Sequence, residues 1–186
     1  IDCEPGKVAK GSGNLLCTKC IAGTYQPHSR KSECIGCEQG KASEEGKTEC
    51  LTCESGKFSS SRAPACEPCR SGYYQPDPGT SVCLACPPGS FTLTDASIAS
   101  KLPGPTRCDE CDPGHYQPLS GKVLCLECPI DTYGDQVGLS VCTNCPAGKY
   151  TDSLDKQLSC IDLPTGQPTA MPTNPTSRLS LIHISE

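Results

Sequence analysis

The sequence has no tryptophan, one methionine and two phenylalanines among 186 residues. A chain of this length ordinarily buries a large apolar core. This one lacks the side chains to fill it, since its 35% hydrophobic content includes the cysteines. No run approaches the ~20 apolar residues that span a bilayer, so no membrane span is expected in this segment. No sustained 3.6-residue apolar period occurs, which predicts little helix. The exception is one short turn within Leu93 to Lys101, capped by Thr94 or Asp95. The net charge is −5, and the densest basic run is only His28-Ser29-Arg30-Lys31. That is no electrostatic footprint for nucleic acid. His28, His115 and His183 have no nucleophile or paired carboxylate at a telling spacing, so no catalytic residue, enzyme activity or cofactor is expected. His115 should be exposed.

What is abundant is cysteine: 18 residues, close to one in ten. That level marks a disulfide scaffold or a metal array. The cysteines form eight Cys-x-x-Cys pairs, with Cys3 alone ahead of them and Cys160 alone behind. Read from opening to closing cysteine, they delimit nine repeats: 3–17, 20–34, 37–50, 53–66, 69–83, 86–108, 111–125, 128–142 and 145–160. Eight repeats hold 12 to 14 residues between their cysteines, and 86–108 holds 21.

Glycine stands three positions after the opening cysteine in eight repeats: Gly6, Gly23, Gly40, Gly56, Gly72, Gly89, Gly114 and Gly148. Asp131 replaces it in the eighth repeat, and Asp also tolerates a left-handed backbone. An aromatic follows two residues later in seven repeats: Tyr25, Phe58, Tyr74, Phe91, Tyr116, Tyr133 and Tyr150. Val8 and Ala42 take that place in the first and third. Only Tyr73 is left over from the aromatic inventory. One ring per repeat reads as its packing residue, set against a disulfide or the neighbouring repeat.

A second glycine stands four before the closing cysteine at Gly13, Gly46, Gly79, Gly121 and Gly138. Apolar residues often precede that cysteine, as at Leu16, Val82, Leu124 and Val141. The pattern predicts a short strand, a glycine turn and a return strand. The fold class expected is a small disulfide-rich, mostly irregular chain with short β-hairpins, an elongated linear array of about nine stacked repeats with little helix. Tyr-Gln-Pro recurs at Tyr25, Tyr74 and Tyr116, a match that duplication explains as well as shared function.

Parity and register favour pairing each opening cysteine with its own closing one: Cys3–Cys17, Cys20–Cys34, Cys37–Cys50, Cys53–Cys66, Cys69–Cys83, Cys86–Cys108, Cys111–Cys125, Cys128–Cys142 and Cys145–Cys160. A crossed pairing, Cys17 with Cys34 and Cys20 with Cys37, strands Cys3 and Cys160 at opposite ends. A zinc array is a further alternative: Cys17/Cys20 with Cys34/Cys37, Cys50/Cys53 with Cys66/Cys69, Cys83/Cys86 with Cys108/Cys111, and Cys125/Cys128 with Cys142/Cys145. It leaves two cysteines over and lacks the basic or helical surroundings of intracellular zinc knuckles. Redox activity needs a low-pKa thiolate at a helix N-terminus, which nothing here supplies.

Cys-x-x-Cys-x-x-Gly-x-Tyr/Phe followed by Gly-x-x-x-Cys-x-x-Cys resembles the cysteine-rich repeat of ephrin-receptor-like modules, similar in look to tumour-necrosis-factor-receptor and EGF-like modules. Cys17 to Cys37 and Cys66 to Cys86 are clear instances, and the match covers about residues 3–160. The resemblance implies an extracellular or cell-surface rod of stacked disulfide hairpins that has passed through the secretory pathway. It brings no catalytic or metal residues.

The remaining sequence differs. Residues 161–177 read as a Pro/Thr-rich linker, with Thr165, Thr169, Thr173 and Thr176 as candidate O-glycosylation sites. Residues 178–186 fit neither repeat nor linker and read as a non-native tail, resembling translated sequencing-adapter read-through. The chain opens at Ile1, already inside the repeat pattern, which reads as a fragment of a longer protein.

The function expected is an extracellular structural or adhesive rod or spacer of a larger secreted, fibre-forming or cell-surface protein. Its partners would be other domains of that protein, extracellular proteins or further copies of itself. A ligand-binding receptor ectodomain is the alternative, with the long loop from Thr92 to Arg107 as first contact candidate. A hairpin arm of about six residues spans ~20 Å, so nine repeats end to end reach at most ~180 Å.

Overall fold

The computed structural model describes residues 2–9, 16–93, 104–151 and 157–163. The capped turn expected within 93–101, most of the long loop, Gly13 and the tail with its four threonines lie outside them.

Every strand is two residues long, and they make nine separate antiparallel hairpins among the described residues. In the first, Lys7–Val8 pairs with Thr18–Lys19; in the second, Thr24–Tyr25 pairs with Ile35–Gly36. The last joins Lys149–Tyr150 to Ile161–Asp162, so these two residues belong to the last hairpin and not to the linker expected from 161 onward. The return strand was expected before the closing cysteine. It lies after it, in the dipeptide between the two cysteines of Cys-x-x-Cys. The next opening cysteine then donates its N–H to the carbonyl of the turn glycine behind it, as Cys20 does to Gly6 (2.8 Å) and Cys86 to Gly72 (2.9 Å). Leu16, Val82, Leu124 and Val141 are consequently left exposed.

In the structure each opening cysteine is bonded to its own closing cysteine, from Cys3–Cys17 through Cys145–Cys160. The Cα–Cα distances of 5.5 to 5.8 Å are those of ordinary disulfides. The core runs along this line of sulfur. Cys3, Cys20, Cys37, Cys53, Cys69, Cys86, Cys111 and Cys128 are buried, as are Val8 and Ala42. All seven rings at the packing position are only half-buried. The aromatic is therefore a shoulder on the stack, and the opening cysteine is its centre.

Backbone hydrogen bonds join each repeat to the next. Between the fourth and fifth, Gly56 N–H donates to Gln75 C=O (2.7 Å), Ser59 N–H to Thr80 C=O (3.2 Å), and Gly79 N–H to Cys53 C=O (2.8 Å). The same three bonds recur from the first repeat to the second, where Gly6, Ala9 and Arg30 are the donors. They recur again from the seventh to the eighth, where the donors are Gly114, Gln117 and Gly138. Such bonds satisfy backbone groups that burial would otherwise strand.

Contact also skips a repeat. Gly6 packs against the carbonyl of Gly46, Gly40 against that of Gly79, and Gly72 against that of Gly121. These turn glycines have φ near +80°, and no room exists for a Cβ. Repeats laid against both the next and the next but one do not lie end to end, so the reach is well below the ~180 Å of nine extended arms.

Candidate functional site: the grooves between repeats

Each of the seven ring-bearing hairpins sets its ring directly across from a residue of the return strand. Tyr25 faces Ile35, Phe58 faces Glu67, Tyr74 faces Leu84, and Tyr116 faces Leu126. Directly opposed residues share one face of the pair. The residue before the next repeat's closing cysteine borders the same face, and together they line a groove. One groove of about 440 Å³ holds Phe58, Glu67, Arg70, Tyr73, Val82 and Cys83. A second, of about 290 Å³, holds Tyr25, Ile35, Glu38, Lys41, Glu49 and Cys50. A third, of about 400 Å³, includes Ala42, Leu51, Ala65 and Cys66. These are one site repeated at three successive junctions. It offers shape, a few apolar atoms and scattered charge, and no arrangement for bond-making chemistry.

The groove wall also accounts for Tyr73, the ring left over in the sequence. The residue after the turn glycine meets the residue after the opening cysteine, three positions back. In the first, third and fourth repeats this is an ion pair: Lys7–Glu4, Lys41–Glu38 and Lys57–Glu54 at 3.1, 3.1 and 3.7 Å. In the second, Thr24 Oγ1 donates to Ile21 C=O at 2.7 Å. In the fifth, the Arg70 guanidinium stands 4.5 Å over the Tyr73 ring. His115 holds the same place in the seventh repeat, half-buried where exposure was expected, with Nδ1 3.3 Å from Pro113 C=O.

Behind the groove, the residue following the ring is a buried polar position that sequence reasoning missed. Gln26, Gln75 and Gln117 occupy it in the three Tyr-Gln-Pro repeats, and each is 3 to 4% exposed. Gln75 Nε2 donates to Val82 C=O at 2.7 Å, and its Oε1 accepts from Asp77 N–H at 3.1 Å. Gln26 and Gln117 repeat both bonds. Their disulfides span 14 residues. The third and fourth repeats span 13 and carry Ser43 and Ser59 instead. Ser43 and Ser59 reach back to Thr24 C=O and Lys41 C=O of the preceding repeat. The shared Tyr-Gln-Pro thus has a physical reason: the longer loop leaves space that the glutamine amide fills. Gln occurs only at separation 14, and the other two repeats of that length, the first and the eighth, carry Ala9 and Gly134 there.

All 18 cysteines lie in disulfides, so none is a free thiol. Among the described residues no helix is long and apolar enough to cross a membrane.

No curated protein matches the chain. Residues 56–102 and 99–140 match the family model described as tyrosine-protein kinase ephrin type A/B receptor-like. That family is an extracellular module type without catalytic function. Two adjacent segments of the chain are thus ephrin-receptor-like, and nine disulfides in register make the chain a cysteine-rich repeat array.

Proposed function

We propose that this chain is a structural or adhesive rod within a larger secreted, fibre-forming or cell-surface protein, holding flanking domains at a set separation. The observation that carries this reading is the stitching of each repeat to the next by backbone hydrogen bonds, with contact to the next but one. A repeat held at two ranges has no freedom to hinge alone. Repeat stacks gain stability from such neighbour terms. The disulfide content supports an oxidising, extracellular setting. The Pro/Thr segment after Asp162 then serves as a linker, with Thr165, Thr169, Thr173 and Thr176 as acceptors for O-linked sugar.

Small-angle scattering tests this on the intact chain and on a deletion of residues 37–68, which removes two whole repeats and keeps the register. A rod shortens in its long dimension in proportion to the repeats removed. A flexible string shortens only as about the square root of length, and that result would refute the proposal.

A second reading, a protein-binding ectodomain, is favoured by the exposed aliphatic side chains concentrated in the seventh and eighth repeats.

A further inference from the structure

We infer that the junction between the seventh and eighth repeats is a docking surface for an extended, basic protein segment carrying aliphatic side chains. The inference gives the ectodomain reading a site and a partner chemistry, and it does not depend on whether the array also keeps distance.

The repeated groove is built from three variable positions: the ring, the residue facing it, and the residue before the next closing cysteine. At the junctions already described these are Tyr25, Ile35 and Glu49; Ala42, Leu51 and Ala65; and Phe58, Glu67 and Val82. Strand register and repeat spacing place Tyr116, Leu126 and Val141 in the same relation. This is the junction that combines a ring with large aliphatics at both other positions. Leu126 is 43% exposed and Val141 68%. Leu119, Val123, Leu124, Ile130 and Val137 are exposed in the same two repeats. Isolated exposed aliphatics are ordinary, whereas this many in two adjoining repeats marks an interaction surface.

Charge selects the partner. Asp109, Glu110, Asp112, Glu127, Asp131 and Asp135 are all exposed, and Lys122 is the one lysine or arginine between 109 and 135. None of the six carboxylates is ion-paired with a described residue. In the first four hairpins most carboxylates are paired: Asp2, Glu4, Glu38, Glu44, Glu45 and Glu54 each have a Lys or Arg partner, while Glu33, Glu49 and Glu67 have no ion pair with a described residue. Register sets one of these carboxylates, Glu127, beside Leu126 at the groove, and the others make the two repeats acidic; such a surface draws a cationic partner by electrostatic complementarity. It repels anionic lipid. An extended partner fits because alternate side chains of a strand point to one side, so aliphatics face the groove while the intervening lysines, pointing outward, reach back to the carboxylates on their long stems.

The test uses the disulfide-intact chain and a short peptide alternating lysine and valine, with binding read by chemical-shift changes and calorimetry. The peptide should perturb Tyr116, Leu126 and Val141, with affinity falling as salt rises. Replacing Leu126→Ser with Val141→Ser should weaken binding about tenfold, the loss of roughly one buried aliphatic anchor. Leu51→Ser, at the matching position of the third repeat, should leave it unchanged. If the double variant fails to form its disulfides, Glu127→Gln with Asp131→Asn replaces it and should weaken binding and flatten the salt dependence. Equal binding of a lysine–glycine peptide, equal loss in Leu51→Ser, or no binding would each overturn the inference. A shortened rod in scattering would leave it untouched.

Discussion

Gly72 of the fifth repeat lies so close to the carbonyl of Gly121, two repeats on, that a Cβ has nowhere to go. At Gly148 of the last repeat the backbone is the same, φ +83°, yet no described residue lies within 4 Å of where a Cβ would stand. This pair separates the two demands made on the turn glycine. A left-handed backbone costs an L-residue about 1–2 kcal/mol, and overpacking adds about 1–3 kcal/mol. Gly148→Ala should therefore cost only about 1–2 kcal/mol, and Gly72→Ala about 2–5 kcal/mol. Amide hydrogen exchange checks this: Gly72→Ala should speed exchange at Cys86 and Gly121, whose N–H groups bond to Gly72 and Cys86 carbonyls. Equal effects of the two substitutions would contradict the contact between alternate repeats.

Gln75→Ala should loosen its own loop. The change leaves the Val82 carbonyl and the Asp77 N–H without their side-chain partner. Both groups sit in exposed residues and can turn to water, so the change should cost about 0.5–1.5 kcal/mol for each bond lost. Gln75→Ser should not rescue it, because the serine-bearing repeats close one residue sooner. Thermal unfolding and exchange at Asp77 report the effect.

The ion pairs should contribute little. Lys41 and Glu38 lie 3.1 Å apart, yet the Glu38 side chain is 79% exposed. Lys41→Ala should shift stability by less than about 1 kcal/mol, and salt should barely change the melting temperature. A large salt-dependent loss would mean that charge, rather than sulfur and backbone, holds the repeat.

Much of this was legible in the sequence, because the devices that set the fold are residue types with narrow uses. Cysteine marked each repeat's ends, and glycine three residues on marked the turn. Asp131 was read as a left-handed substitute and has φ 63°. Other features were hidden for stated reasons. Arg30 and Arg62 adopt φ of 62° and 59° at the position where other repeats use a second glycine, and arginine gives no hint of that backbone. Arg62 also lies across Gly36, two repeats back, where a Cβ would stand 2.7 Å from its Nε. Gly104 holds the second-glycine position in the long sixth repeat and packs against Gly56, although the insertion masked its register. The return strand was misplaced because two residues between cysteines look too short to be one. In the eighth repeat Gly134 replaces the buried polar residue, and the Leu139 side chain occupies the space, a compensation seen only in three dimensions.

Removing one link should weaken its own repeat and spare distant ones. Replacing Cys69 and Cys83 together by serine should cost about 3 kcal/mol, the loop-closure value for this span. Treatment with a metal chelator should leave the fold unchanged, while a strong reductant should dissolve it, as near-ultraviolet circular dichroism would show.

The pairing of the cysteines is the centre of the account, and non-reducing peptide mapping addresses it most directly. Digestion of the unreduced chain should release loops closed within repeats, with Cys17 held to Cys3 and Cys34 to Cys20. A fragment joining Cys17 to Cys34, or Cys20 to Cys37, would contradict the ladder and the stack built on it.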